Sequence, residues 1–258
     1  MEASPTPRTG TPPDPELLER AASLLADARS VVVSTGAGMS SESGARTFRG
    51  ADGWWRERKA EDLATIRALR EDPGLVWEWY AERLLSAADL VPHAGYRALF
   101  DLQETRGGLP VITQNVDGLH GKAGMRDVLE LHGSLRTASC IDGCGAPPFE
   151  TGPELLSVLP PRCRCGAVLR PDVVLFGEPL PQDVLGRAFR LAARCDVMLV
   201  IGTSLAVYPA SALPVVAIEA GARVIEINPG ETPLGMLPRV TTLRGGAGEV
   251  LPLLLRGA

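Results

Sequence analysis

Short, unbroken runs of apolar residues recur along the chain, and longer amphipathic segments separate them. One run occupies residues 31–33 and leads into a glycine-rich turn, and similar runs occupy residues 110–113, Val197–Ile201 and Arg223–Ile227. Apolar runs without polar alternation are typical of strands that a parallel sheet buries on both faces. Because the intervening segments are long enough for helical crossovers, the pattern predicts an open, mostly parallel α/β sheet.

Two of the amphipathic segments carry clear helix signals. In residues 15–29, leucine and alanine recur at helical spacing, Asp14 is suited to cap the helix, and Pro15 suits its first turn. A second helix is predicted over residues 213–220, where Gly221 ends it. This second helix lies between two predicted strands, as the crossover of a parallel sheet requires.

Two segments interrupt this alternation and predict a second, smaller lobe. Residues 47–90 contain all four tryptophans and are expected to form a helical insertion, and residues 136–170 contain two pairs of cysteines. Residues 1–13, rich in proline and threonine, are expected to be a disordered leader. The predicted fold class is α/β, a doubly wound Rossmann-type parallel sheet with a smaller lobe made of the helical insertion and a ribbon. The nucleotide-binding domain is expected to comprise residues 14–46, 91–135 and 171–258.

Composition and charge narrow the classes of function. The net charge is −5, with 45% hydrophobic and 22% charged residues, as in ordinary soluble globular proteins. An acidic balance gives no general attraction to nucleic acid or to an anionic membrane. The apolar runs are too short to span a bilayer, and the first residues lack the pattern of a secretory signal. We therefore expect a soluble, cytoplasmic and monomeric protein with no specific nucleic-acid partner and no membrane partner.

Four of the five cysteines form two close pairs. Cys140 and Cys144 are separated by three residues, and Cys163 and Cys165 by one. In a reducing compartment, such pairs more often hold a metal than form disulfides, and four thiolates suit a closed tetrahedral zinc site. The alternative is a metal-free loop with free thiols. Cys195 stands alone before an apolar run and is expected to fill core space.

The glycine-rich turn after the first predicted strand spans residues 36–50. Gly36 and Gly38 are able to take positive φ and to let backbone amides approach a pyrophosphate. However, Ser41 replaces the third glycine of the usual dinucleotide fingerprint, and no acidic residue ends a second strand at the expected spacing. By itself, the turn is equally compatible with a tight connection between a strand and a helix.

Polar residues cluster after the predicted strands. Gln114, Asn115 and Asp117 directly follow one buried-type strand, where a doubly wound sheet places its ligand groups. His132 follows a short apolar run and lies next to Gly133. A neutral imidazole is able to take a proton from a sugar hydroxyl near pH 7. Each residue alone fits a hydrogen-bonded polar group of the core, but together they indicate a catalytic site.

Beyond these residues, six segments resemble sirtuin signatures, in the order in which that family carries them. The matching segments are GAGMSSESGARTFRG (36–50), TQNVDGLH (113–120), LHGS (131–134), VVLFGEPLP (173–181), GTSLAVYPA (202–210) and EINPG (226–230). The resemblance implies an enzyme that uses NAD as a co-substrate and removes acyl groups from lysine side chains of other proteins. It also implies structural zinc, because the four cysteines follow the order and location of the sirtuin zinc module.

The resemblance further implies individual roles. His132 matches the general base, Asn115 and Asp117 match residues around the nicotinamide pocket, and Gln114 matches a ribose contact. The acyl oxygen attacks the anomeric carbon of the nicotinamide ribose, nicotinamide leaves, and deacylated lysine and O-acyl-ADP-ribose are the products. Further cofactor contacts implied by position are Gly36, Ala37, Gly38, Arg46, Phe48, Arg49, Gly202, Thr203, Ser204, Asn228 and Ala247. Phe176, Gly177 and Glu178 match the strip on which the substrate peptide adds as a strand.

Residues of the helical insertion indicate which acyl group the substrate lysine would carry. Tyr80 and Arg83 stand three residues apart, so on a helix they share one face, where a guanidinium beside a phenol suits a carboxylate. The plainer interpretation is an aromatic core residue beside a solvated arginine. The pair resembles the sirtuin class that accepts succinyl and malonyl lysine, Ala64 matches that class's small residue, and Thr47 also follows that class. We therefore expect negatively charged acyl-lysine as a preferred substrate, beside acetyl-lysine.

Other functions remain open at this point. One is an NAD-dependent deacetylase without a preference for acidic acyl groups, and another is an ADP-ribosyl transfer side activity. An NAD-dependent dehydrogenase would use the same kind of sheet but does not explain the cysteine pairs. A zinc-ribbon module without enzymatic activity, which binds a protein or nucleic acid, does not explain the nucleotide fold. Nicotinamide release without formation of NADH distinguishes the deacylase from the dehydrogenase.

Overall fold

A computed structural model describes residues 13–45, 54–56 and 58–256 of the 258-residue chain. The leader, apart from Pro13, lies outside the described residues. Four residues singled out in the first loop also lie outside them, namely Arg46, Thr47, Phe48 and Arg49.

Helices and strands alternate along the chain and are interrupted by the two segments of a smaller lobe. The strands are β1 (Val31–Thr35), β2 (Trp54–Trp55), β3 (Arg58–Lys59), β4 (Val111–Thr113), β5 (Val128–Glu130), β6 (Gly133–Cys140), β7 (Phe149–Glu150), β8 (Leu169–Val173), β9 (Val197–Ile201), β10 (Arg223–Ile227) and β11 (Val240–Leu243). The helices are α1 (Pro15–Asp27), α2 (Gly38–Ser41), α3 (Ala60–Leu63), α4 (Ile66–Glu71), α5 (Pro73–Ala88), α6 (Ala94–Arg106), α7 (Leu119–Lys122), α8 (Gln182–Ala192), α9 (Leu213–Glu219) and α10 (Ala247–Leu254).

The predicted parallel sheet is confirmed. Six strands lie in the order β11-β10-β9-β1-β4-β5, and every neighbouring pair is parallel. The predicted strands at Val197–Ile201 and Arg223–Ile227 have the observed bounds, and the predicted strand at 110–113 begins one residue later. The chain order reverses between β1 and β9, so the loops that follow these two strands leave in opposite directions. Such a switch point opens a crevice for ligands at the carboxyl edge of the sheet.

Helices cover both faces of the sheet, as the unbroken apolar strands require. Val33 points to the side of α1, α6 and α10, and the neighbouring Val32 points to the side of α8 and α9. The signals of α1 are confirmed: the Asp14 side chain accepts a hydrogen bond from Glu16 N at 2.9 Å, and Pro15 is the first helical residue. The carboxyl edge of β1 is therefore buried on both sides and provides a rigid base for the loops beyond it.

The two insertions share one hydrophobic core. Residues of the helical segment, such as Trp77, pack in one cluster with residues of the ribbon, such as Leu135 and Leu169. The Trp77 indole N–H donates to Leu169 O at 2.6 Å, so α5 is tied to β8. The ribbon forms an antiparallel sheet in the order β7-β6-β8, while β2 and β3 pair as a short hairpin. The exact domain boundaries stay a prediction.

The model also bears on membrane association. No helix in the described part of the chain combines the length and the apolar character needed to cross a membrane.

Candidate active site

The loops after β1 and β9 pack backbone against backbone at the switch point. Gly36 N donates to Ile201 O at 3.0 Å, and Gly38 N donates to Gly202 O at 2.8 Å. A Cβ on Gly38 would lie 2.7 Å from Gly202 Cα, and a Cβ on Gly202 would lie 2.3 Å from Met39 N. Gly202 adopts positive φ, whereas Gly36 and Gly38, which are able to adopt it, do not. Their amides bond the neighbouring loop, and the glycines are needed because the two loops touch.

A row of hydrogen bonds runs across the carboxyl edge of the sheet. The Gln114 side chain donates to Thr203 Oγ1 at 3.2 Å, and the Asn228 side chain donates to Thr203 O at 2.9 Å. Gly230 N in turn donates to Asn228 Oδ1 at 3.2 Å. The loops after β4, β9 and β10 are thereby connected. Three predicted cofactor contacts are brought together along this edge, and Ser204 follows directly on one of them.

Asn115 and Asp117 meet at a buried serine that the sequence analysis did not single out. Ser40 Oγ donates to Asp117 Oδ2 at 2.6 Å, and Asn115 Nδ2 donates to Ser40 Oγ at 3.0 Å and to Gly36 O at 3.0 Å. The Tyr96 hydroxyl lies 2.7 Å from Ser40 Oγ and must be the donor, because the serine proton points at Asp117. Burial raises the pKa of Tyr96, so the phenol keeps its proton.

Of the two further residues of this network, Ser40 could be suspected from the sequence and Tyr96 could not. Ser40 lies inside the glycine-rich segment that was already singled out, so its position in the first loop was a usable signal. Tyr96 reaches the site from α6, and only the packing of that helix on the sheet reveals it.

His132 has one ring nitrogen fixed and one available. Its Nδ1 lies 3.0 Å from Gln114 O, and because a carbonyl only accepts, Nδ1 carries the proton and Nε2 keeps a lone pair. Burial lowers the pKa of His132, so the ring is neutral near pH 7. His132 O accepts from Val174 N at 2.8 Å, and a Cβ on Gly133 would lie 2.1 Å from Asp172 O. The ring is therefore a neutral base in a fixed tautomer.

The other two histidines make internal hydrogen bonds. His120 is 3% exposed, and its Nε2 lies 3.0 Å from Thr35 Oγ1, which itself donates to Thr113 Oγ1. Burial lowers the pKa of His120 to about 4, so it stays neutral. His93 caps α6 through Nδ1 and donates from Nε2 to Met39 O at 2.7 Å. Both arrangements agree with the structural roles expected for these residues.

Ala247 lies at the beginning of α10. It is buried, and its carbonyl oxygen would lie 2.6 Å from a Cβ placed on Gly95 of α6. The amide of the next residue, Gly248, donates to Glu42 Oε2 at 2.7 Å. Glu42 thus ties the first loop to the beginning of α10. A contact between Ala247 and adenine stays a prediction.

The residues expected to select the acyl group lie in the smaller lobe. Tyr80 and Ala64 are buried, and the Tyr80 ring packs edge-on against Trp79 with a centroid distance of 4.5 Å. The Arg83 guanidinium lies 5.2 Å from the centroid of the same tryptophan, so Tyr80 and Arg83 share one face of α5. Burial raises the pKa of Tyr80 against the opposing influence of Arg83, so the phenol is neutral.

The strip of residues 176–178 lies beside Ala64 and Thr65 of the smaller lobe. Phe176 N donates to Ala64 O at 2.8 Å, and Phe176 forms a parallel bridge with Thr65. The Phe176 side chain is 45% exposed, and Gly177 adopts positive φ. The Glu178 carboxylate is engaged by the Arg170 guanidinium, so its side chain bonds within the protein.

The four paired cysteines converge on one point. The Cys140 and Cys165 sulfurs lie 3.6 Å apart, the Cys144 and Cys163 sulfurs lie 3.5 Å apart, and all four lie within 4.8 Å of one another. Zinc bound to four thiolates at about 2.3 Å requires sulfur–sulfur distances of about 3.8 Å. The cluster therefore fits a structural zinc ion, whereas Cys195 is buried elsewhere in the core, as expected.

Comparison with known proteins agrees with this geometry. The model of the Sir2 family matches residues 36–209. An NAD-dependent protein deacylase of Pyrobaculum aerophilum is 49% identical over 235 residues, which cover 91% of this chain and 93% of that protein.

Two solved structures are also similar. A Sir2 homologue with three substitutions, in complex with 2'-O-acetyl ADP ribose, is 44% identical with a TM-score of 0.85, covering 94% of this chain and 95% of that one. A Sir2 complex with a p53 peptide and NAD+ is 31% identical with a TM-score of 0.83, covering 93% of this chain and 97% of that one. The chain therefore belongs to the Sir2 family of sirtuins.

Proposed function

We propose that this protein is an NAD-dependent protein-lysine deacylase that releases nicotinamide and O-acyl-ADP-ribose. The observation that carries the proposal is the neutral His132 imidazole, with its available Nε2 at the same edge of the sheet as Gln114, Asn115 and Asp117. The names of the relatives and the ligands of the similar structures support the same activity.

The residues divide the reaction among themselves. When bound, NAD would supply the bond between nicotinamide and the ribose, whose cleavage leaves the anomeric carbon to the acyl oxygen, and one water is consumed when the lysine amine is released. Asn115 and Asp117 hold the nicotinamide side, and Gln114 orients the ribose. His132 accepts the proton of a ribose hydroxyl at Nε2, while Gln114 O keeps its Nδ1–H in place. A base of this kind typically contributes about 10²- to 10⁴-fold to a rate.

The remainder of NAD is proposed to lie along the switch-point crevice. Asn228 follows β10 and is able to bond adenosine ribose hydroxyls, and Ala247 is assigned to the adenine side. Arg46, Phe48 and Arg49 are assigned to NAD by resemblance alone, because they lie outside the described residues. The other proposed contacts are Gly36, Ala37, Gly38, Gly202, Thr203 and Ser204.

For the acyl group, we propose a preference for succinyl or malonyl lysine, with acetyl-lysine also accepted. Tyr80 and Arg83 stand on one face of α5, where a neutral hydroxyl and a guanidinium together suit a carboxylate. Ala64 offers a small side chain beside the strip that begins at Phe176, where the peptide is proposed to add as a strand. A deacetylase without this preference is the second candidate, because the similar structures contain an acetylated ADP-ribose and a p53 peptide.

The partners of the enzyme follow from this activity. We propose acylated proteins or peptides as its substrates, and a cytoplasmic monomer that binds no specific nucleic acid and no membrane. The net charge of −5 supports the absence of a nucleic-acid partner.

The test is a mass-spectrometric assay with NAD and two peptides that differ only in carrying acetyl- or succinyl-lysine. We expect nicotinamide and O-acyl-ADP-ribose in equal amounts, no NADH, and a loss of about 10²- to 10⁴-fold in His132→Ala. The His120→Asn variant is the matched control, because it alters a buried histidine that lacks the proposed role. Formation of NADH would instead favour a dehydrogenase, and intact NAD with every acylated peptide would refute the proposal.

A further inference from the structure

The Arg170 side chain connects strand β8 to residues 175–178, which comprise Leu175 and the strip of residues 176–178. Arg170 lies on β8 opposite Ser139 of β6, and β6 runs from Gly133, next to His132, to the cysteine cluster at Cys140. The Arg170 side chain is only 22% exposed, and that of Glu178 only 21%. The pair is therefore partly withdrawn from solvent and anchored in the ribbon.

Arg170 and Glu178 form hydrogen bonds with each other and with the main chain of residues 173 and 175. Arg170 Nη1 donates to Glu178 Oε1 at 2.5 Å and Nη2 donates to Glu178 Oε2 at 2.8 Å, while Nη2 also donates to Val173 O at 2.8 Å. Leu175 N donates to Glu178 Oε2 at 2.9 Å. The Arg170 guanidinium thus fixes the Glu178 carboxylate, and this carboxylate accepts from the main-chain amide of Leu175. In agreement, the hydrogen bonds with Arg170 lower the pKa of Glu178.

Only an ionised carboxylate satisfies this arrangement. Every partner of the two Glu178 oxygens is a donor, namely two guanidinium N–H groups and the amide of Leu175. An amide side chain would turn an N–H group towards one of these donors and lose that bond. In place of Arg170, a lysine ammonium group would provide a single point of charge and would lose the bidentate contact with the carboxylate.

Main-chain hydrogen bonds also hold these residues. Phe176 N bonds Ala64 O, Glu178 N bonds Leu175 O, and the preceding Val174 N bonds His132 O. Phe176 itself is 45% exposed, as a side chain next to a bound peptide would be. The Arg170–Glu178 pair therefore adds a contact to the main-chain amide of Leu175, whose own side chain is buried in the core of the smaller lobe.

We propose that Arg170 is a positioning residue for the peptide-binding strip. Acting through Glu178, it holds residues 175–178 in the turn that the Glu178 N–Leu175 O hydrogen bond closes, and this turn presents Phe176 to the substrate peptide. The inference rests on the proposed function, since it needs that strip to bind the peptide. It assigns to Arg170 no contact with the reacting atoms, so its influence falls on peptide binding and not on NAD.

The test compares Arg170→Gln, Arg170→Lys and the control Arg97→Gln, which removes an exposed ion pair with Asp101 on α6. With the acetyl-lysine peptide, Arg170→Gln is expected to raise the peptide KM about tenfold while kcat and the KM for NAD change less than about twofold. Arg170→Lys should restore part of this loss, and Arg97→Gln should match the native chain. An unchanged peptide KM, or an equal loss in kcat and in both KM values, would overturn the inference.

Hydrogen exchange provides a second measurement that does not depend on turnover. In Arg170→Gln, the amides of Leu175 and Phe176 should exchange faster, while those of β1 keep their protection. Glu178→Gln should give the same local pattern, which covers the case in which an Arg170 variant folds poorly. Unchanged exchange in the strip contradicts the positioning role even if the native chain shows no deacylation. Absence of turnover in the native chain, by contrast, counts against the proposed function alone.

Discussion

Ser40 Oγ donates a hydrogen bond to Asp117 Oδ2 at 2.6 Å, across the gap between the loops that follow β1 and β4. Ser40 is 1% exposed and also accepts from Tyr96 and Asn115, so one hydroxyl fixes two side chains assigned to the nicotinamide pocket. Because the single Ser40 proton is directed to Asp117, Tyr96 and Asn115 must both donate to Ser40 Oγ. The orientation of the Asn115 and Asp117 side chains therefore depends on the buried Ser40.

Replacing this serine should damage the pocket more than the fold. In Ser40→Ala, the buried Tyr96 hydroxyl loses its acceptor and Asp117 loses a donor. We expect kcat/KM for NAD to fall about 10- to 100-fold, as for the loss of hydrogen bonds to a charged group. The control is Ser86→Ala, which removes an exposed hydroxyl bonded to Glu82 O. Steady-state kinetics with a saturating peptide gives the comparison, and similar values for both variants would contradict the proposed network.

The activity should depend on pH through His132. Burial lowers its pKa below the ordinary value of 6.5, and the base is the deprotonated form. As pH rises, kcat/KM should therefore increase with a midpoint below 6.5 and stay level from there through neutral pH. In His132→Ala, the residual activity should lack this limb. A profile measured between pH 5 and 8.5 tests the prediction, and a midpoint above 7 would show that another group titrates.

His120 should make folding stability depend on pH. Its pKa is lowered from 6.5 to about 4 by burial, so between these values the unfolded chain binds more protons than the folded one. Stability therefore falls as pH drops from 6.5 towards 4, at about 1.4 kcal/mol per pH unit for this group, and is unaffected by it above 6.5. Urea unfolding at pH 7.5 and 5.0 measures the loss. The native chain should lose about 2 kcal/mol more than His120→Asn, and equal losses would contradict the prediction.

Loss of one thiolate should destabilise the smaller lobe. Cys163 is buried in the cluster, and a closed four-thiolate site contributes directly to folding. In Cys163→Ser, we expect the zinc content measured by mass spectrometry to fall to near zero and the melting temperature to drop. Cys195→Ala, which alters a buried thiol outside the cluster, should keep its zinc. Retention of zinc by Cys163→Ser would contradict joint binding of the zinc ion by these four cysteines.

The parts of the fold that could be predicted from sequence are those in which local pattern and tertiary environment agree. Val197–Ile201 and Arg223–Ile227 are apolar throughout because the sheet buries both faces, and their predicted bounds match the observed ones. The end of α1 was placed two residues too late, because Ala28 and Arg29 continue the amphipathic pattern although Ala28 already has extended backbone geometry.

The candidate site was predictable only where its residues directly follow a strand. Gln114 and Asn115 could be singled out because their strand was recognisable, and parallel strands bring their carboxyl ends to one edge. The close approach of Gly38 to Gly202 could not be predicted, because the two residues lie far apart along the chain. Tyr96 could not be found for a similar reason, since contacts between elements distant in sequence depend on the order of strands and the placement of helices.

The acyl preference gives the sharpest prediction about substrate. In Arg83→Met, an unbranched side chain still covers Trp79 while the guanidinium is lost, so packing changes little. We expect kcat/KM for the succinyl-lysine peptide to fall roughly 10- to 100-fold, because a charge-assisted contact with the carboxylate disappears. The value for the acetyl-lysine peptide should stay within about threefold, since that acyl group presents no charge for Arg83 to neutralise. Arg97→Met is the control, because it removes an exposed guanidinium on α6 and should leave both peptides unaffected. If Arg83→Met lowers both values equally, the arginine supports the helix and does not read the acyl group.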